Sequence, residues 1–285
     1  MLIALSEPPQ GQYLNSHAVS APILLQIKCG NIRSSKFSDA AMIVALRQEI
    51  FVGNMTKREV GPIAAYCNVD WSMDPATDAT WTYRIIAHAA RVTNFSYGCG
   101  SKNISEWDRL WQYIHDWEHH KPESFSPIYY SYKRDLWNFT AGNHNGNTSS
   151  PTEDQGSILP VIFYTYDCPI GGQQYLQLCR ILLLAHDPRV PTLGIGRFQY
   201  LEHQEEEMRG AVRIICGISQ SNPEHMPARI TAGLAIALCG ELFNDPAETK
   251  VLLQLVSEAE LHLGWPGLKV SYWLRSFWNL HYYIL

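Results

Sequence analysis

Bulky apolar side chains recur at every third or fourth position through segment after segment of this chain, and that period limits its fold more than any other feature. In residues 78–95, Trp81, Ile85, His88, Val92 and Phe95 are spaced four, three, four and three residues apart. That spacing puts them on one side of an α-helix but on both faces of any strand. In AMIVALRQEIFVG the same period links Ile43, Leu46 and Ile50, with Met42 beside them and Ser38 as the expected N-cap. A third helix is expected from about Ser105 to His120, with Trp107, Leu110, Trp111, Ile114 and Trp117 as its stripe and Pro122 as its stop.

Five later segments show the same pattern: QQYLQLCRILLLA, FQYLEHQEEEMRGAVRIICGI, ARITAGLAIALCGELF, AETKVLLQLVSEAELHL and SYWLRSFWNLHYY. Asp245-Pro246 is a good helix start, and Gly264 and Pro266 end that helix. Gly171-Gly172 is expected to form a tight turn before a helix, and Gly194-Ile195-Gly196 a loop. The one competing strand signal is VIFYTY, residues 161–166, between Pro160 and Pro169. The expected fold is therefore all-α, a multi-helix bundle or array of antiparallel helices with an irregular N-terminal arm.

With 46% hydrophobic and 17% charged residues in 285, the chain can bury a large core. Residues 1–37 hold Pro8, Pro9, Gly11, Pro22 and Gly30 without a sustained period and read as an arm, leaving 38–285 as the helical unit. Residues 141–157, AGNHNGNTSSPTEDQGS, are polar throughout and are expected to be a mobile loop. The aromatic tail, with Tyr272, Trp273, Phe277, Trp278 and Tyr282, is expected to pack on the body.

A net charge of -5, from 22 basic and 27 acidic residues without a basic run, offers no grip on a phosphate backbone. Seven scattered cysteines with no C-x-x-C pair point to reduced thiols in an intracellular protein, and Cys179, Cys216 and Cys239 sit in apolar helical stretches as small hydrophobes. MLIALSEPPQ lacks the basic lead of a signal peptide, and no apolar run is long enough to span a membrane. N-x-S/T triplets at Asn54, Asn94, Asn103, Asn138 and Asn147 therefore read as coincidence rather than as glycan acceptors.

Residues His115-Asp116-Trp117-Glu118-His119 spell H-x-x-E-H, a zinc-protease signature. Two imidazoles at i and i+4 share one side of a helix, and Glu118 could serve as base on a zinc-bound water, with Glu202, Glu205, Glu206 or Glu207 as third ligand. At the helical period the histidines lie about 125° from the tryptophan stripe, facing away from the core that would enclose a metal. A solvated helix end, with imidazoles near the C-terminal dipole, is favoured, and a zinc hydrolase is the alternative. His88, on an apolar stripe, is expected to be a buried, hydrogen-bonded imidazole. Glu205, on the line Phe198, Leu201, Met208, Val212, Ile215, is expected to pair with an arginine from another helix, or to line a cavity.

Six segments, in order, resemble the regulatory domain of fungal zinc-cluster transcription factors, the fungal-specific transcription factor domain. They are ALRQEIFVG, DATWTYRIIAHAARVTNFSYG, EWDRLWQYIHDWEHHKPESFSPI, ILPVIFYTYDCPIGGQQYLQLCRILLLAHDP, VRIICGISQSN and ITAGLAIALCGELFNDPAETKVLLQLVSEAELHLGWP. The resemblance makes Trp111, Trp117, Pro122, Ser124, Phe125 and Pro127 motif positions and leaves His115, His119 and His120 as fillers. It implies a non-enzymatic, nuclear regulatory module, possessing no catalytic, metal or cofactor residues and acting through other transcription regulators, a DNA-bound partner, a homodimer or a small-molecule effector. The family's six-cysteine DNA-binding cluster is not matched: residues 1–40 contain Cys29 alone, so this chain itself is expected to hold no DNA-binding residues. A fragment, a relative without the cluster used as an interaction scaffold, and a partner-dependent regulator all fit that pattern.

Overall fold

The computed structural model describes residues 36–61, 69–100, 102–132, 158–263 and 268–278. Most of the expected arm, the 141–157 loop, Asn138, Asn147 and the tail beyond 278 lie outside the described residues. Eight α-helices carry the described chain: α1 (Lys36–Thr56), α2 (Asp78–Tyr97), α3 (Ile104–His120), α4 (Asp167–Ala185), α5 (Arg197–Ser221), α6 (Met226–Cys239), α7 (Pro246–Leu263) and α8 (Leu268–Phe277). The fold is all-α. α1 starts two residues before Ser38, so that serine lies in its first turn rather than capping it.

Local chemistry sets the helix ends. Thr77 Oγ1 accepts the Thr80 N–H at 3.3 Å and caps α2, and Asn103 Oδ1 accepts the Glu106 N–H at 2.7 Å and caps α3. Asp245 Oδ1 accepts the N–H groups of Ala247 and Glu248 at 2.8 and 3.1 Å, fixing the start of α7. Two other asparagines of the N-x-S/T triplets are also structural. Asn54 is buried and donates to Ile50 O and Thr93 Oγ1, while Asn94 Oδ1 accepts the Val60 N–H at 2.6 Å.

The strand signal survives in a shorter form. β1 (Tyr129–Ser131) and β2 (Val161–Phe163) pair antiparallel, Tyr130 opposite Ile162. The end of α5 holds β2 in place: the Ile162 N–H donates to Ser221 Oγ at 3.0 Å, the Tyr164 N–H donates to Asn222 Oδ1 at 3.2 Å, and Asn222 Nδ2 donates to Ile162 O at 2.8 Å. These side chains satisfy backbone groups that a two-stranded ribbon would otherwise leave open.

α4 occupies the centre. It packs on α2, α3, α5 and α6, and every residue from Pro169 to Cys179 is buried. Its side chains enter three apolar clusters. Tyr175, Leu176, Leu178, Cys179, Leu182 and Leu183 join the core of α1, α2 and α3, Ile181 joins that of α5 to α8, and Ile170 meets Ile162, Ile218 and Ala228. Gly171-Gly172 is therefore not a turn: both glycines lie inside α4, and packing explains the second of them. A Cβ on Gly172 would stand 2.6 Å from the Phe125 ring and 3.5 Å from Trp117. Pro169 is tolerated because the first helical turn needs no N–H there.

Trp81, Trp117 and Phe125 meet edge to face above that glycine, at 6.1 and 5.5 Å between centroids. Trp117 Nε1 donates to Trp81 O at 3.0 Å, and Trp107 Nε1 donates to Leu183 O at 2.8 Å. The apolar stripes read from the sequence point inward, since Trp107, Leu110, Ile114 and Trp117 are all buried. The tail expectation is corrected in part: Tyr272, Trp273 and Phe277 are exposed, whereas Trp278 is half-buried against the cluster of α5 to α8, and Ser271 and Leu274 are buried.

Gly172→Ala is expected to destabilise the fold by about 1–3 kcal/mol through overpacking against Phe125. Gly210→Ala, where nothing lies within 4 Å of the added Cβ, is expected to stabilise it by about 0.4–1 kcal/mol. Urea denaturation of the two variants reads both signs.

Candidate functional site

The H-x-x-E-H residues lie on the outer side of α3. His115, His119 and His120 are exposed, and the His119 and His120 rings meet edge to face at 5.1 Å. Glu118 is engaged elsewhere, accepting a hydrogen bond from Arg180 Nη2 of α4 at 2.5 Å. Among the described residues no three His, Cys, Asp or Glu side chains come together as a metal site, so none of Glu202, Glu205, Glu206 and Glu207 completes a triad with His115 and His119.

The expectation for Glu205 is corrected. Its side chain is 47% exposed and its partner is Arg209 on the same helix, Nη1 at 3.6 Å. The buried carboxylate that meets an arginine from another helix is Glu248 of α7: Arg213 Nε of α5 donates to its Oε1 at 2.7 Å, and Arg213 Nη1 donates to Glu206 Oε1 at 2.8 Å. Burial opposes the Arg213 charge, but the hydrogen bonds from Glu248 and Glu206 outweigh it and raise its pKa. The line drawn through Glu205 missed because the first turns of α5 are mostly uncovered: Phe198 is exposed, and the run of largely buried residues begins only at Ala211.

A second buried cation, Arg84 of α2, is fully enclosed. Its Nε and Nη1 donate to Asp70 O and Asp74 O at 3.0 Å each, and Nη2 donates to Asp70 Oδ2 at 2.5 Å. Those bonds fasten the segment before α2 and hold the Asp70 carboxyl down to about 2, the Arg84 hydrogen bond contributing most. Paired and satisfied in this way, Arg84 and Arg213 act as clamps between segments.

His88 is buried as the sequence suggested. Its Nε2 lies 3.1 Å from Leu110 O, and its ring stacks on Tyr113 at 4.3 Å. Burial pushes the imidazole down to about 3, with Arg91 adding to the effect. Burial likewise pushes the Tyr113 phenol up to about 12 and the Cys239 thiol up to about 12, so neither group ionises near neutral pH. These groups support packing rather than proton transfer.

What remains is surface. An open depression of 290 Å³ is lined by Arg91, Asn94, Phe95, Gly100 and Glu106, the last of which holds Arg109 through both carboxylate oxygens at 2.5 and 2.7 Å. Three apolar exposures stand out: Ile128, Tyr129, Phe163 and Tyr166 at the hairpin, Leu193, Ile195 and Phe198 before and within α5, and Tyr272, Trp273 and Phe277 on α8. The tail aromatics were visible in the sequence, but the α5 exposure was not, because Leu193 and Ile195 are isolated apolar residues in a glycine loop. No protein-family model matches this chain, and no curated protein or solved structure shows significant similarity to it.

A neutral buried His88 gives a pH dependence with a defined sign. The unfolded chain takes up a proton at this imidazole below about pH 6.5 and the folded chain does so only near 3, so the fold loses stability as pH falls through that window. The full loss is about 5 kcal/mol. Denaturation midpoints from pH 7 to pH 4 are expected to fall steeply in the parent chain and less steeply in His88→Phe. A residual slope is expected from His186 and His225, which burial also lowers.

Proposed function

We propose that this chain is a non-enzymatic regulatory module of a transcription factor of the fungal zinc-cluster type, acting in the nucleus through contacts with other proteins. The observation that carries this reading is the ordered set of six segments, together with the way the motif positions are used. Trp117 and Phe125 converge with Trp81 on Gly172, so three of the six resembling segments meet at one joint. The histidines that the resemblance treats as fillers are exposed.

The electrostatics are consistent with a partner-dependent role. The chain carries -5 overall and has no basic run, so sequence-specific DNA binding would have to come from another segment or another protein. Exposed aromatic and aliphatic side chains such as those at the hairpin, at α5 and on α8 are the features by which such a module engages partners. A small-molecule effector would act on this module by favouring one arrangement of those surfaces. The zinc-hydrolase reading has less support, because Glu118 is bound to Arg180 and no third ligand approaches the histidines among the described residues.

The test is a tethering assay. The full chain, fused to an unrelated DNA-binding domain, is expected to raise or lower transcription of a reporter carrying that domain's sites, while the DNA-binding domain alone does not. A fusion that leaves output unchanged at matched protein level counts against the regulatory reading. Metal analysis of purified protein addresses the rival: zinc below stoichiometry is expected, whereas one zinc per chain, lost in His115→Ala, would reinstate the hydrolase.

A further inference from the structure

The turn between α2 and α3 borders the open depression of 290 Å³, at the small end of the roughly 300–1,000 Å³ that ligand pockets occupy. Its lining comes from both helices and the turn: Arg91, Asn94 and Phe95 of α2, Gly100, and Glu106 of α3. Phe95 is half-buried and supplies an apolar wall. Gly100 leaves the turn side open, because a Cβ there would meet nothing within 4 Å. Arg91 is the group whose needs the fold leaves unmet: it is half-buried, yet among the described residues it makes no hydrogen bond and no ion pair. The buried Arg84 and Arg213, by contrast, are each met by carboxylates. The Arg91 guanidinium lies over the Trp71 ring at 4.8 Å. That ring is itself held edge to face by Tyr113 at 5.8 Å, and Tyr113 stacks on the buried His88 at 4.3 Å. Stacking holds a guanidinium by its face and leaves the N–H groups at its edge free.

The other polar groups of the lining are committed in a way that leaves hydrogen-bond donors. Asn94 Oδ1 accepts the Val60 N–H at 2.6 Å, so the two Nδ2 donors are what this side chain has to offer. Asn94 follows Arg91 by three residues and is its neighbour on the helix surface. Glu106 is matched by Arg109 through both oxygens, and that pair is neutral as a unit. Outside the lining, Glu59 accepts the Cys99 N–H at 3.2 Å and Lys102 lies in the same turn, one charge of each sign. After burial, the charges of Arg91 and then Arg109 push the His88 imidazole down, so the field on this side of α2 is positive.

We propose that this depression binds a small organic monocarboxylate with a flat apolar body. The carboxylate takes the free edge of Arg91 in paired hydrogen bonds and an N–H of Asn94, and the apolar body lies on Phe95. One uncommitted cation calls for one negative charge, and a dianion such as phosphate would set its second charge near the Glu106 and Glu59 carboxylates. As a binding site the depression stands on this geometry alone. As the seat of a small-molecule effector it rests on the regulatory reading, and names the class of effector.

The experiment titrates the isotopically labelled full chain with phenylacetate and follows the Gly100 backbone amide and the Asn94 side-chain amide by NMR. Phenylacetamide, uncharged and nearly isosteric, is the control. Phenylacetate is expected to shift both signals saturably with Kd of about 0.01–1 mM, and phenylacetamide to bind about tenfold or more weakly. Arg91→Gln removes the charge, while Gly100→Leu keeps it and fills the depression from a position where the added Cβ meets no protein atom. Each is expected to weaken binding about tenfold or more, with thermal midpoints within about 4 °C of the parent. Absence of a saturable shift up to about 10 mM, equal binding of acid and amide, or equal binding by the parent and either variant overturns the proposal. Inorganic phosphate that displaces phenylacetate at equal concentration would make the depression a general anion site and overturns it too. Tighter binding of phenylalanine, whose ammonium would need Glu106, would assign a zwitterion instead and likewise overturns it. Phenylacetate binding with a silent reporter counts against the regulatory reading alone, and an active reporter without binding counts against this proposal alone.

Discussion

A helix buried on every side is the constraint on which the rest of this molecule depends. α4 has no solvated face from Pro169 to Cys179, so the polar groups it carries depend on partners inside the protein, and Gln174 Oε1 is left without one. Gln173 Nε2 donates to Phe125 O at 3.2 Å, and Gln174 Nε2 donates to both Ile215 O and Ala228 O. Those bonds tie α4 to the turn after α3, to α5 and to α6. Gly171 and Gly172 thin the helix on the side where Thr82, Trp117 and Phe125 approach. Around this axis α1 to α3 and α5 to α8 gather into two main apolar clusters, each incomplete without α4.

The charged residues follow from the same enclosure. Arg84 and Arg213 are buried because the segments they fasten close over them, Arg84 matched by the Asp70 carboxylate and two carbonyls and Arg213 by the carboxylates of Glu248 and Glu206. His88 is held neutral for the same reason, so acid should loosen the body from within. Buried chemistry in the described residues thus serves architecture, and the features left for recognition lie outside. On the outer surface the hairpin, the start of α5 and the exposed face of α8 are apolar where an isolated body would favour polar side chains.

Much of the fold was legible in the sequence because helical period is a local signal. The stripe from Trp81 to Val92 is buried where spacing put it, and so is that from Trp107 to Trp117 except for the half-buried Trp111. The misses are tertiary. Gly171-Gly172 reads as a turn when only local propensity is weighed, and its reason is the Phe125 ring 2.6 Å from an imagined Cβ, contributed by a distant part of the chain. Glu205 fell on an apolar line, but whether a line is covered depends on where the neighbouring helices end. Tyr129–Ser131 is too short to show an alternation, and it is a strand because β2 lies beside it. Of the candidate surface, the aromatic residues of α8 were visible as composition, whereas the tip at Leu193 and Ile195 needed the loop geometry.

The central claim, that α4 is the common wall of both apolar clusters, is tested most directly by native-state hydrogen exchange. If the claim holds, the amides from Leu176 to Leu183 exchange only through global unfolding, with an opening free energy equal to that from denaturant unfolding, and they do so together with the amides of α2 and α5. Exchange of α4 amides through a cheaper local opening, while α2 or α5 stays protected, would show that the two halves hold together without it and would contradict the account.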